Sequence, residues 1–298
     1  MKKERIFEGC ATALITPFLN GGIDYAALSS LIDTQISSGI GCLIIGGTTG
    51  ESATLGESER IELYSFARQK TRGKCKLILG TGSCDTARAV RYTRLAEEVE
   101  ADGALVVTPY YNRGTREGLV CHFERIADEC DIPIILYNVP QRTGVDLPLA
   151  VAERLMRHKN IAGIKEASDS QDKLVSVAAL GDELPLYAGN DCAILTVAAL
   201  GGAGAISVMS NIIPHTAVRL WELCRAGEFY TAGLLQYRLL PFIKALFADT
   251  NPAPIKYLMY TRGLCSPEIR LPLSMPGEDA CRATVRELER LSALGLGT

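Results

Sequence analysis

The feature that most restricts the fold of this chain is a repetition. From Ala11 onward, short β-rich apolar runs alternate with longer stretches of helical periodicity, at intervals of roughly 20 to 35 residues. Eight such units are readable. Strands are expected near 11–16, 42–46, 76–80, 104–108, 133–137, 163–165, 185–188 and 204–207, and helices near 24–38, 57–72, 86–100, 116–129, 148–157, 171–180, 191–200 and 214–225. Turn chemistry supports the spacing: Asp24 stands as an N-cap, Gly39 and Gly41 follow the first helix, and Asp102-Gly103 and Gly201-Gly202 punctuate returns to strand. Eight parallel strands with crossover helices close on themselves and leave no edge to protect. The expected fold is therefore α/β, a TIM (β/α)8 barrel over 1–225. A C-terminal extension over 226–298 follows, with three further helices near 228–247, 253–262 and 277–292. A barrel needs no such addition to close, so the extension is expected to brace it or to serve assembly, and the chain to be an oligomer.

Composition agrees with a single large core: 47% of the 298 residues are hydrophobic and 22% charged. A net charge of -3 with no basic run gives no electrostatic case for nucleic acid or an anionic membrane. Ten cysteines without a C-x-x-C pair read as free thiols of a reducing compartment. The apolar run after Met-Lys-Lys-Glu-Arg is short, holds Thr12 and Thr16 and meets Pro17, so it reads as the first strand and not as a signal peptide. No stretch is apolar and long enough to span a bilayer. A cytoplasmic protein is expected.

Chemistry in such barrels sits at the C-terminal ends of the strands. Lys165 ends the apolar run Ile161-Ala162-Gly163-Ile164 there. A strand-end lysine ordinarily snorkels outward or pairs with a neighbour such as Glu166. Held in a dry pocket, it instead becomes an amine able to attack a carbonyl as a Schiff-base nucleophile. Other strand ends present Gly47-Thr48-Thr49-Gly50-Glu51, Thr108-Pro109-Tyr110-Tyr111-Asn112 and Tyr137-Asn138-Val139-Pro140. The first is either a plain loop or a cradle of amides and hydroxyls for a carboxylate, and the tyrosines serve either packing or proton transfer. Candidates for moving protons during imine formation are Tyr137, Thr48 and Tyr111. Arg142, just past the fifth strand, offers a bidentate fork for a second carboxylate. Lys256 is a rival nucleophile with apolar neighbours, but it belongs to the appended helices and is expected away from the mouth. The only histidines, His122, His158 and His215, lie in or beside expected helices and form no ligand cluster, which argues against a metal-dependent aldolase.

Taken in order, 13–17 (Ala-Leu-Ile-Thr-Pro), 47–55 (Gly-Thr-Thr-Gly-Glu-Ser-Ala-Thr-Leu), 107–112 (Val-Thr-Pro-Tyr-Tyr-Asn), 135–140 (Ile-Leu-Tyr-Asn-Val-Pro), 142–144 (Arg-Thr-Gly) and 163–167 (Gly-Ile-Lys-Glu-Ala) resemble the dihydrodipicolinate synthase and N-acetylneuraminate lyase superfamily of pyruvate-dependent class I aldolases, and the synthase branch specifically. The resemblance covers essentially the whole chain. It implies that Lys165 forms an imine with pyruvate, and that Tyr137, Thr48 and Tyr111 relay protons, Tyr111 from a partner subunit. It further implies that Thr49 holds the pyruvate carboxylate, that Gly189 and Ile206 line the site through backbone carbonyls, and that Arg142 binds the carboxylate of aspartate β-semialdehyde. The product would be 4-hydroxy-tetrahydrodipicolinate, in lysine and diaminopimelate biosynthesis. No metal or organic cofactor is implied, and assembly as a tetramer of tight dimers is.

Two other functions compete. Another pyruvate aldolase, a neuraminate lyase or keto-deoxy-sugar acid aldolase, would keep a lysine and tyrosine like Lys165 and Tyr137 but usually differs around Thr48 and lacks the Arg142 context. A non-catalytic barrel that binds keto acids or serves as an assembly scaffold would keep its ligand binding largely intact in Lys165→Ala and have no turnover to lose. One departure bears on regulation. Feedback-inhibited synthases bind lysine at positions that here read Ser52, Ala53, Glu57, Arg60, Cys84, Arg88 and Tyr110, with histidines in place of Glu57 and Arg60, asparagine in place of Cys84 and glutamate in place of Arg88. Arg88 reverses a charge that would pair with the effector's ammonium. Lysine is therefore expected to inhibit weakly or not at all, an expectation that half-inhibition at sub-millimolar lysine would overturn.

Overall fold

The structure is a computed structural model and describes residues 2–297; the outermost residues of the two expected segments, 1 and 298, lie outside the described residues. Eight parallel strands form a closed barrel: β1 (Gly9–Ala13), β2 (Cys42–Ile45), β3 (Lys76–Gly80), β4 (Gly103–Val107), β5 (Ile134–Asn138), β6 (Ile161–Glu166), β7 (Leu186–Ala188) and β8 (Gly204–Ser207). Between and after them run α1 (Tyr25–Ser37), α2 (Glu57–Thr71), α3 (Thr86–Glu98), α4 (Arg116–Glu129), α5 (Leu149–Leu155), α6 (Gln171–Ala178), α7 (Ile194–Ala199) and α8 (Pro214–Arg225). The extension is α9 (Phe229–Leu246), α10 (Ala253–Thr261) and α11 (Glu278–Ala293).

Differences from the expected pattern are local. A hairpin of Phe18–Leu19 with Gly22–Ile23 caps the first strand-to-helix connection. One helical turn, Pro140–Thr143, follows β5 and stops at Gly144, whose φ of 68° suits a residue without a Cβ. The helix expected near 191–200 opens as a 3-10 turn over Asp191–Ala193, because the Asn190 side chain accepts from the Cys192 amide.

Strand alternation divides the apolar residues into two sets. Leu43, Leu77, Val106, Leu136 and Ile164 face the helices, whereas Ala11, Ile44, Ile78, Leu105, Ile135, Tyr137, Tyr187 and Ile206 fill the barrel interior. In β6 the alternation slips once. Ile134 pairs with Ile161 but Ile135 pairs with Gly163, so Ala162 is an extra residue on β6. Ile161 and Ile164, three apart, both face outward as a result. From Gly163 on, the phase is reset, and Lys165 stands level with the inward-facing Tyr137 and Tyr187 on the flanking strands.

Below Lys165 the barrel is solid. A Cβ on Gly163 would lie 3.0 Å from the Tyr187 ring and 2.8 Å from the Pro185 carbonyl, so the glycine makes room for that ring. Tyr187 stacks on Phe7 at 4.5 Å between centroids and donates its hydroxyl to the Phe7 carbonyl at 3.1 Å. This closes the N-terminal end and leaves the C-terminal end open. The extension packs through α9 on α7, α8 and α11. Its Leu239, Phe242, Ile255, Leu258 and Leu291 join the same apolar cluster as the barrel's outer face. Among the described residues no helix is long and apolar enough to cross a membrane.

Candidate active site

Burial first decides between the readings of Lys165. It is 5% exposed, so it does not snorkel to solvent. Nor does it pair with Glu166, which faces the other side of β6 and accepts from Asn138 Nδ2 at 2.9 Å and from the Ser168 amide at 2.7 Å. Among the described residues no carboxylate lies within ion-pair distance of Lys165. Its Nζ sits 4.1 Å from the centroid of the Tyr137 ring. An amine so placed is dry and held against the phenol most able to exchange a proton with it.

A cavity of about 690 Å³ opens over this amine and brings Thr48, Thr49, Tyr137, Arg142, Lys165 and Gly189 together. Six residues chosen from four separate strand ends and turns thus share one space. Gly189 allows the approach: a Cβ there would lie 2.6 Å from Ala167 Cβ and 2.8 Å from the Glu166 carbonyl. Two expected residues stand apart from this lining. Ile206 belongs to the interior cluster with Tyr137. Tyr111 is 92% exposed, in left-handed backbone at φ 74°, and does not reach the cavity of its own chain.

The extension supplies a wall that the sequence reading missed, running from Phe247 to Asn251. Asn251 is the working residue in it. Its Nδ2 donates to Thr49 Oγ1 at 3.0 Å, and its carbonyl accepts from Arg142 Nη2 at 3.3 Å, so one side chain and one backbone group orient both residues expected to bind carboxylates. The only sequence signal was its place before Pro252 in the turn between α9 and α10. Asp191 was missed as well. Its carboxylate is 1% exposed and its Oδ2 accepts from the Val208 and Met209 amides at 3.1 and 2.9 Å, holding the turn that follows β8. Burial pushes its carboxyl above the usual range, against the pull of Ser207, those amides and the Lys165 ammonium.

Lys256 needs correction. It was expected away from the mouth, yet it is wholly buried against the loop that carries Thr48 and Thr49. Its Nζ meets Glu51 Oε1 at 2.5 Å, while Glu51 Oε2 accepts from the Arg270 amide at 2.9 Å. Both Lys256 and Arg270 lie over the Phe18 ring. Burial lowers the Lys256 pKa, and Glu51 opposes that shift. Lys256 lines neither this cavity nor the one beside it, so it is a pin between α10 and the loop and not a rival nucleophile. That neighbouring cavity gathers Ser52, Ala53, Arg60, Arg88 and Tyr110, whereas Glu57 is turned to Arg91 at 3.1 Å.

Comparison with known proteins agrees with this geometry. The model of the Dihydrodipicolinate synthetase family matches residues 6–290. The chain is 43% identical over 269 residues to the 4-hydroxy-tetrahydrodipicolinate synthase of Endomicrobium trichonymphae, covering 90% of this chain and 92% of that protein. It is 40% identical over 288 residues to the enzyme of the same name from Geobacter metallireducens, covering 95% and 99%. The crystal structure of dihydrodipicolinate synthase from Aquifex aeolicus superposes with a TM-score of 0.93 at 38% identity, covering 98% of this chain and 99% of that one.

Proposed function

The chain belongs to the dihydrodipicolinate synthetase family, and from that premise we infer that it is a lyase-type enzyme condensing pyruvate with L-aspartate 4-semialdehyde to 4-hydroxy-tetrahydrodipicolinate, the first committed step toward diaminopimelate and lysine. The single observation that carries this reading is a buried amine, Lys165, without a carboxylate partner, in one cavity with Thr48, Thr49, Tyr137 and Arg142. Nothing in the site favours the sugar-acid aldolase reading.

The reaction follows from that arrangement. The Lys165 amine adds to the keto carbon of pyruvate, and loss of water leaves an imine. Removal of a methyl proton gives the enamine, whose carbon forms the new bond to the aldehyde carbon of the semialdehyde. The semialdehyde's own amine then adds to the imine carbon, closes the ring and releases Lys165. Tyr137 and Thr48 move the protons of addition and dehydration, and Tyr111 of a partner subunit completes the relay to solvent. Its exposure and backbone geometry support a role outside its own chain. Thr49 holds the pyruvate carboxylate, with Gly189 and Ile206 offering carbonyls around it. Arg142 takes the second carboxylate, a role supported by its single hydrogen bond at 3.3 Å, which leaves most of the fork free. The imine itself is the electron sink, so the chemistry requires no metal or organic cofactor.

A homotetramer built from tight dimers follows from the shared tyrosine. An exposed stripe of Tyr230, Leu234 and Tyr237 on one face of α9 supports a second contact. The cytoplasm suits an enzyme whose ten cysteines are all free thiols. The test is borohydride reduction with and without pyruvate, followed by intact mass and peptide mapping, with aspartate semialdehyde and N-acetylneuraminate offered in parallel. A pyruvate-dependent adduct on the Lys165 peptide and turnover of the semialdehyde are expected. No adduct, or an adduct on Lys256, sinks the reading.

A further inference from the structure

Asp191 is a buried acid that the reaction as written leaves without a task. It opens the turn after β7, it is 1% exposed, and among the described residues no lysine or arginine lies within ion-pair distance of it. Its Oδ2 accepts from the Val208 and Met209 amides at 3.1 and 2.9 Å, with the Ser207 hydroxyl beside them, while its Oδ1 is buried and has no partner. Its backbone carbonyl accepts from Gln236 Nε2 of α9 at 3.2 Å, so the extension holds the same turn from outside. Two residues earlier the Gly189 amide donates at 2.8 Å to the carbonyl of Glu166, the neighbour of Lys165. Gly189, Asn190 and Val208 line the reaction cavity, and Asp191 stands behind them as the link between their two turns. A buried carboxylate without a cation and a buried amine without a carboxylate thus belong to one site, and either charge left alone there is costly. The Lys165 ammonium does act on Asp191, from beyond ion-pair distance.

We propose that Asp191 is a positioning residue of the condensation: its carboxylate locks the turns after β7 and β8 around the imine and supplies a fixed negative charge that balances the positive charge on the imine nitrogen. Addition of the Lys165 amine to the keto carbon, uptake of one proton and loss of water leave a C=N bond whose nitrogen is cationic. That cation forms in a dry site, where a charge already in place requires no reorganisation. The locked turns carry Gly189 and Ile206, the two residues expected to offer carbonyls to the substrate. The other charged and titratable groups nearby do not fill this role. Level with Lys165 stand the phenols of Tyr137 and Tyr187, the second pushed up by burial. Near Asp191, burial and then Asp191 itself push the thiols of Cys10 and Cys192 up, so neither is an anion, and Lys244 of α9 acts on Cys192. Arg142, Asp169 and Asp249 line the cavity but are exposed, and solvent screens them. The inference rests on the imine reading and deepens it.

The experiment follows the pH dependence of borohydride trapping of the pyruvate adduct in the full-length wild type, Asp191→Asn, Asp191→Ser and Asp191→Glu, with a melting curve for each. Borohydride reduces the protonated imine, so the alkaline limb of the profile reports how firmly the nitrogen holds its proton. In Asp191→Asn and Asp191→Ser the limb is expected to move to lower pH by about one unit, the low end for loss of an opposite charge that is not in direct contact. In Asp191→Glu, which keeps the charge, it is expected to move by less than about a third of that. A role in structure alone would slow trapping at every pH and leave the limb in place. The proposal is overturned by an unmoved limb in folded Asp191→Asn or Asp191→Ser, by an equal shift in Asp191→Glu, or by loss of the fold in both charge-removing variants, which assigns Asp191 to structure only. Absence of a pyruvate adduct on Lys165 in the wild type overturns the imine reading itself, and this inference with it.

Discussion

Replacing Lys256 with methionine tests how firmly the extension holds the catalytic loop. In the wild type the Lys256 ammonium and the Glu51 carboxylate are both fully buried and 2.5 Å apart. Methionine fills a similar volume but leaves Glu51 with the Arg270 amide as its remaining partner. Breaking one side of a buried pair costs about 3–5 kcal/mol, because a charge stays behind without compensation. The retained amide bond and the Arg270 guanidinium nearby argue for the lower end, about 3 kcal/mol. For a domain of this size that corresponds to a fall in Tm of roughly 5–10 °C. The double variant Glu51→Gln with Lys256→Met removes both charges and is expected to recover more than half of the loss. Denaturant titrations and calorimetry on the three proteins give these numbers, and the KM for pyruvate reports whether Thr48 and Thr49 have moved. A single variant within about 1 kcal/mol of wild type, or a double variant no better than the single, would refute the assignment of this pair as a pin.

Three other outcomes are expected. Gly189→Ala places a methyl 2.6 Å from Ala167 Cβ and 2.8 Å from the Glu166 carbonyl; it should cost about 1–3 kcal/mol in denaturant titrations and slow pyruvate imine trapping on Lys165. Asn251→Ala removes the donor to Thr49 Oγ1 and should raise the KM for pyruvate about tenfold in steady-state assays with a smaller change in kcat. His122, buried on α4 with Nδ1 against Thr86, is held down to about 4 by burial, against a weaker pull from Asp85. Since the unfolded chain binds this proton and the folded one does not between pH 6.5 and about 4, stability falls as pH drops through that window, by about 3 kcal/mol. Denaturation curves at pH 7 and pH 4 should show His122→Asn to be less acid-sensitive by that amount.

The parts of the site that were legible in the sequence are those that a strand end declares locally. Lys165, Tyr137 and Thr48 each follow an apolar run, and a barrel must bring such ends to one face. Arg142 was legible because the turn that carries it begins directly after β5. Asn251 and the Glu51–Lys256 pair were not, because they join segments more than 200 residues apart, with |i−j| of 202 and 205, and no periodicity encodes such a contact. Asp191 was hidden for a different reason: an acid at the start of a helical turn reads as a cap, and only its amide partners after β8 reveal another task. The shortness of α5 followed from its flanks, since Pro148 sets its start and the chain must turn by Asn160 to feed β6.

The extra residue at Ala162 has a consequence for which changes of length this strand tolerates. Deleting Ala162 alone would restore the simple alternation, with Ile161 opposite Ile134 and Gly163 opposite Ile135, and would leave Lys165 beside Tyr137 as before. Deleting Ile164 instead would move Lys165 to the level of Leu136, whose side chain faces the helices, and bring Glu166 to the level of Tyr137. The bulge thus marks a place where β6 can lose a residue and keep the amine facing inward, a freedom that the residues between it and Lys165 do not share.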